Sequence, residues 1–343
     1  MTDTERLVRE NVRKLIPYSC ARDEYGGREG IFLDANENPF GDLNRYPDPY
    51  HRELRSALSQ LKGLPAENIF TGNGSDEVID LCYRIFCNPG RDKVLMFNPT
   101  YGMYEVSAAA NDIEVIKVPL DENFNINVSA VQPHFDDDRL KLIFICSPNN
   151  PTGNSMNSKD IEFIIRNFKG IVIIDEAYID FSVHPSFSLK IRKYKNLVVM
   201  QTFSKALGLA AARIGMAFAG REIIKYFFRM KPPYNISTIN QAVALKKLDE
   251  ISESMDQVKR IIEERCRLVQ SLAKLKVVEK IYPSDANFLL IQVMDADYIY
   301  NMLLEKGVIV RNRSRIISNC LRITVGTEDE NSRMISELEK ITL

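Results

Sequence analysis

The chain has no cysteine pair at C-x-x-C spacing and no H-E-x-x-H run; its three histidines and six cysteines (Cys20, Cys82, Cys87, Cys146, Cys266 and Cys320) are scattered. Neither a disulfide framework nor a zinc site is expected. No apolar run reaches the roughly 18 residues of a membrane span. The opening stretch "MTDTERLVRENVRKLIP" is charged at helical spacing where a secretory signal would be apolar, so a cytoplasmic protein is expected. Charge of one sign is also lacking: 45 Lys and Arg stand against 46 Asp and Glu. That balance gives no general attraction to nucleic acid or to an anionic membrane, although "RNRSR", Arg311 to Arg315, is locally basic. No internal repeat or low-complexity tract interrupts the chain.

What is present is an ordinary globular composition, 45% hydrophobic with a mean hydropathy of −0.19, over 343 residues. That length allows two lobes. From about Tyr50 to Gly220, short β-branched runs ("DKVLMFN", "IEVIKV", "RLKLIFICS", "GIVIIDEA", "NLVVMQT") alternate with amphipathic segments. Continuous apolar strands between helices predict a mostly parallel sheet covered on both faces, with ligands beyond the strands' carboxyl ends. After the breaker "KPPYN", one long helical pattern runs from about Ser237 to Leu275. Strand candidates "KVVEKIY", "NFLLIQV", "VIVR" and "CLRITV" follow, with a helix before the last two and another after them. The expected division is an N-terminal arm with part of the small lobe (1–44), a large lobe (45–236) and a small α/β lobe (237–343).

Three stretches carry chemistry. In "GIVIIDEAYIDF" an apolar strand runs into Asp175, and a carboxylate at a buried strand end needs a cation nearby. Lys205 lies thirty positions on, in "QTFSKALGLAAARIG". A lysine there either opens a surface helix or is enclosed enough for its amine to become a nucleophile. "SPNNPTG", Ser147 to Gly153, follows a strand directly and by itself reads as a turn. "TGNGSDEV" precedes a helix whose free N–H groups suit a phosphate, or whose Ser75 serves as N-cap.

Taken together, "NNPTG", "DEAY" and "SKALGLAAARIG" make the chain resemble the fold-type-I aminotransferases that use pyridoxal 5'-phosphate. Within them it is similar to the histidinol-phosphate aminotransferase family, through "ENVRKLIPY", "LDANENPF", "RYPDP", "GSDEVIDLCYRIFCNPG", "PTYGMYEVSA" and "CLRITVGT". The resemblance implies an α/β fold whose large domain holds a mostly parallel seven-stranded sheet between helices, plus a smaller α/β domain. It makes Lys205 the Schiff-base lysine and proton carrier, Asp175 the counter-ion of the pyridine nitrogen, and Tyr178 and Asn150 the partners of the phenolic oxygen. Tyr101 would stack on the ring. The cofactor phosphate would be held by the backbone at Ser75 and Asp76, the hydroxyls of Thr202 and Ser204, and Arg213, with Tyr46 reaching in from the other subunit of a homodimer with shared active sites.

For substrates the resemblance implies L-glutamate and 2-oxoglutarate in one half-reaction, and imidazole acetol phosphate and histidinol phosphate in the other. Arg322 and Arg311 would bind carboxylate and phosphate, and Tyr18 and Asn36 would line the imidazole pocket. An aromatic amino-acid aminotransferase and a phosphothreonine decarboxylase of the same fold are the alternatives. Two departures stand out: Ala210 to Ala212 occupy positions where the family often has glycine, and the loop from Asn312 to Asn319 is unusually basic.

Overall fold

The computed structural model describes residues 3–25 and 30–341. Its larger sheet has seven strands: β1 (Ile69–Asn73), β2 (Lys93–Asn98), β3 (Glu114–Pro119), β4 (Leu140–Cys146), β5 (Ile171–Asp175), β6 (Leu197–Thr202) and β7 (Ile214–Ala219). They lie in the order β1-β7-β6-β5-β4-β2-β3. Strands β2 to β6 pair in parallel, whereas β7 runs antiparallel to both of its neighbours. The predicted parallel strands are all present. Strands β1 and β7 complete the seven that the resemblance implies, but they were not picked out along the chain, because "IFTGN" and "IGMAFA" lack the dense β-branched signature of the others.

Two apolar cores cover the two faces of this sheet, and the pleat assigns residues to them alternately. Ile171 and Ile173 join one core, with Phe144 and Tyr104, while Val172 and Ile174 join the other. Period two then carries Asp175 toward the side of Tyr104 and Glu176 to the opposite side.

The second sheet is wholly antiparallel and comprises β8 (Val278–Ile281), β9 (Phe288–Val293), β10 (Arg311–Asn312) and β11 (Cys320–Thr324), in the order β10-β11-β9-β8. Leu289, Ile291, Leu321 and Ile323 pack on one of its faces against Leu268, Leu272, Ile299, Leu303, Met334 and Leu338. Residues of opposite parity, Arg322 among them, occupy the other face. Of the expected strand "VIVR" only Arg311 enters the ladder; Val308 and Val310 instead pack on the apolar core.

The long helical pattern is two helices, Thr238–Asp249 and Ile251–Leu272, broken at Glu250. Ala244 and Leu248 of the first share a core with Leu54 and Leu58 and with the large sheet. Val8 and Val12 likewise pack beside Phe227 in the large sheet's other core. Packing thus draws residues 238–249, and Val8 and Val12, to the larger sheet, whereas the expected division gave 237–343 to the small lobe and 1–44 to an N-terminal arm with part of it. Apolar periodicity shows that a helix face is buried, but not against which partner.

Candidate active site

The carboxyl ends of β1, β4, β5 and β6 gather at one edge of the large sheet, where they meet the non-core face of the small sheet. Between them lies a cleft of about 440 Å³ lined by Ser75, Asp76, Tyr101, Asn150, Asp175, Tyr178, Thr202, Ser204, Lys205, Arg213, Arg311 and Arg322. Twelve residues singled out in the sequence are therefore brought together. Because β7 is antiparallel, it presents its beginning at this edge, and Arg213, immediately before Ile214, joins the others for that reason.

Asp175 forms the floor. It is 3% exposed and accepts hydrogen bonds from the Tyr104 hydroxyl to Oδ2 (2.6 Å) and from the Ala177 N–H to Oδ1 (3.0 Å). Burial pushes its pKa up to about 6, although both hydrogen bonds and the more distant Lys205 pull the other way. No lysine or arginine forms an ion pair with it among the described residues. Tyr104, fully buried on the helix Met103–Ala110, was missed as a site residue. The one signal in the sequence was its place three positions after Tyr101 in "PTYGMY". Glu176, the neighbouring acid, faces away from the cleft and is bound by the Ser186 hydroxyl, the Phe187 N–H and the Gln201 amide.

Lys205 stands three residues past β6. Its accessible surface opens into the cleft, yet enclosing protein lowers its pKa, followed by repulsion from Arg322, with Asp175 acting in the opposite direction. The ammonium lies 5.7 Å from the centre of the Tyr178 ring. Tyr178 is buried edge-on against Phe288 of the small sheet (5.1 Å, 83°), and burial raises its phenol pKa above the ordinary value.

At the other end, the helix Gly74–Phe86 points its N-terminus into the cleft, and no side chain caps it. Ser75 lies inside the helix, so its alternative reading as the N-cap falls away; that position belongs to Asn73. Glu77 turns back to accept the Asn73 N–H and also binds the Asn235 amide (2.8 Å). Gly74 has φ +76, and a Cβ there would lie 2.6 Å from Arg213 Nη2. Across the β1–β7 ladder, a Cβ on Gly215 would lie 2.3 Å from the Ser75 nitrogen. The two glycines thus let the helix start and the arginine approach one another. Arg213 pairs with Asp76 (3.1 Å), Tyr101 donates to Asp76 (3.3 Å), and the Thr202 and Ser204 hydroxyls meet at 3.0 Å. Partial positive charge at a helix start, beside hydroxyls and a guanidinium, makes an anion site.

The small sheet supplies the wall. Arg322 donates to Asn150 Oδ1 of the "NNPTG" turn and sits 5.3 Å over the Phe288 ring. Arg311 lies directly across the ladder from it. Burial lowers the pKa of Arg322, and Arg311 adds to that by repulsion.

Three expected site residues lie elsewhere in this chain. Asn36 and Tyr46 line a separate groove with Ser237 and Thr238, where Tyr46 stacks on Tyr234 at 4.3 Å. Tyr18 borders a small pocket beside Phe228. For Tyr46 the expectation was a role in the neighbouring subunit; within a single chain, Tyr18 and Asn36 stand outside the cleft as well.

Residues 29–338 match the family model "Aminotransferase class I and II". The chain is 50% identical over 346 residues to the histidinol-phosphate aminotransferase of Cytophaga hutchinsonii, covering 98% of each. Among solved structures, it superposes on the histidinol-phosphate aminotransferase from Clostridium acetobutylicum with a TM-score of 0.80 and 26% identity, over 87% of this chain and 90% of that one. A similar fold is seen in the histidinol-phosphate aminotransferase from Sinorhizobium meliloti in complex with pyridoxal-5'-phosphate (TM-score 0.78, 20% identity, 97% and 96% covered).

Proposed function

Since the chain belongs to the class I and II aminotransferase family, we propose that it is a pyridoxal-phosphate-dependent histidinol-phosphate aminotransferase. It would move an amino group reversibly between L-glutamate and 2-oxoglutarate on one side, and L-histidinol phosphate and imidazole acetol phosphate on the other, as a step of L-histidine biosynthesis. The observation that carries this reading is the meeting, in one cleft, of the buried acid Asp175 and of Arg311 and Arg322, none of which enters an ion pair among the described residues.

When bound, pyridoxal phosphate supplies an electron-accepting ring that stabilises negative charge at the substrate Cα. A protonated pyridine nitrogen would be the cation beside Asp175, and Tyr104 would keep the carboxylate aimed and ionised. Tyr178 and Asn150 would hold the phenolic oxygen, and Tyr101 would pack against the ring. The uncapped N–H groups at Ser75 and Asp76, with Thr202, Ser204 and Arg213, would take the phosphate. Lys205 would offer an amine to the cofactor's aldehyde and would carry the Cα proton. Its lowered pKa increases the fraction of neutral, reactive amine at neutral pH. Arg322 would bind the carboxylate of glutamate and, with Arg311, the phosphate of the other substrate.

The active unit would be a homodimer. Ile16, Ile31, Leu33 and Phe40 in the N-terminal arm are each more than 80% exposed, an apolar surface that a second copy would cover. Tyr46, Asn36 and Tyr18 lie on or beside that arm and would complete the partner's cleft.

The test is direct amino transfer by the purified holoenzyme. Formation of 2-oxoglutarate dependent on histidinol phosphate is expected. Turnover of aromatic amino acids but not histidinol phosphate, or release of carbon dioxide from phosphothreonine, would replace this reading with one of its alternatives.

A further inference from the structure

The edge of the small sheet carries one more cation than the sequence assigned to the site. Arg311 and Arg322 face each other across the β10–β11 ladder, and the Arg313 N–H continues it by donating to Cys320 O (2.8 Å). Two residues along a strand return to the same face. Arg313 therefore shares the cleft face with Arg311 and Arg322, and it lines the cleft with both.

Like charges set across and along a ladder repel one another. Arg322 and Arg311 are the charges that bear most on Arg313, and with burial they push its pKa down to about 10. Its Nε is buried with no hydrogen-bond partner. Among the described residues none of the three arginines enters an ion pair. Asp297, on the outer side of Arg311 and Arg313, is bound by the Asn312 amide (2.5 Å). A folded chain bears such a cluster at a cost in stability, which an anion with several acceptor oxygens would offset.

Resting on the function proposed above, we propose that Arg313 is a specificity-determining residue, a third guanidinium that binds the substrate's phosphate monoester dianion beside Arg311 and Arg322. A dianion with three terminal oxygens can engage more than one fork at once. A single carboxylate is satisfied by Arg322 alone. Arg313 thus favours the phosphorylated substrate over amino acids of similar size.

The test uses holoenzyme of the parent, Arg313→Ala and Arg313→Lys. Specificity constants are measured for histidinol phosphate, histidinol and glutamate, and calorimetry follows inorganic phosphate as a probe without turnover. Removing one partner of a desolvated charge pair predicts that Arg313→Ala loses roughly thirtyfold in kcat/KM on histidinol phosphate, mostly through KM, with histidinol and glutamate within about threefold of the parent. Phosphate affinity should fall alongside. Arg313→Lys keeps the charge but not the fork, so an intermediate loss confined to the phosphorylated donor is expected. If the alanine variant has a lowered melting temperature, the lysine variant decides alone. Equal losses on histidinol and histidinol phosphate, or an unchanged kcat/KM on the latter, would overturn the proposal. A parent that ignores histidinol phosphate, yet binds inorganic phosphate in a manner dependent on Arg313, would overturn the function proposed above and leave the anion site standing.

Discussion

The floor and the wall of the cleft are built on opposite principles. On the floor, one carboxylate, Asp175, is buried and its orientation is fixed by Tyr104 and Ala177. On the wall, Arg311, Arg313 and Arg322 share one face of a small sheet, with no ion pair among the described residues. The floor is preorganised by the protein's own hydrogen bonds, whereas the wall is proposed to be completed by a ligand that brings negative charge. Fixed polar groups aimed where charge develops are the usual source of catalysis, and uncompensated charge at the rim confers selectivity. Damage to the floor should therefore slow every substrate alike, and damage to the wall should discriminate among them.

The harshest way to test that contrast is Lys205→Ala, which removes the amine proposed to anchor the cofactor and to move the proton. Turnover on all donors should fall by more than about 10⁴-fold, over 5 kcal/mol of barrier. Cofactor should still bind through the phosphate contacts, but borohydride should no longer fix it to the protein. Covalent trapping at a different lysine would remove Lys205 from its role.

Asp175→Asn comes next. An amide cannot balance a protonated ring nitrogen, and a loss of about 4 kcal/mol corresponds to nearly a thousandfold in the rate of Cα proton removal. Single-turnover rates with glutamate and with histidinol phosphate should drop together. A loss on one donor only would erase the distinction between floor and wall.

Arg311→Ala attacks the wall. The expected result is a KM for histidinol phosphate raised by roughly thirtyfold or more, with a smaller change for glutamate and almost none for histidinol. If histidinol suffers equally, Arg311 supports the sheet and does not read the phosphate.

The mildest change, Tyr104→Phe, sharpens the account of the floor. Removing a hydrogen bond to a charged group should slow proton removal by roughly tenfold on every donor. The Tyr104 hydroxyl lowers the pKa of Asp175 against the burial that raises it to about 6. Its loss should raise that pKa further, so Asp175 would become protonated, and the ring more weakly held, at a higher pH. A titration of cofactor affinity should show its acid-side weakening displaced upward. An unmoved profile would mean that Tyr104 only fills space.

Much of this arrangement was legible beforehand. The apolar strands β2 to β6, and the placing of Asp175 and Lys205 just where strands end, follow from local chemistry, since a β-branched run and the polar residue that stops it lie side by side in the chain. Tyr104 and Arg313 were not legible as site residues. A tyrosine on a helix reads as core until its hydroxyl is seen to reach a carboxylate seventy-one positions away, and a basic loop reads as solvated until its backbone is seen to continue a ladder. That residues 238–249 pack on the larger sheet was not legible either, as Ala244 and Leu248 face a core that no local pattern identifies.

The sequence by itself determined the layered α/β class, the placing of Asp175 and Lys205 at or just past strand ends, and the glycine-opened helix start, because each rests on neighbours within a few residues. Only the tertiary structure decided that β7 runs antiparallel and so delivers Arg213 to the cleft, that Asp175 and not the adjacent Glu176 faces it, and that three arginines converge on its wall. Strand direction, pleat phase and ladder register are set by the packing of distant apolar residues against one another, which local spacing does not encode.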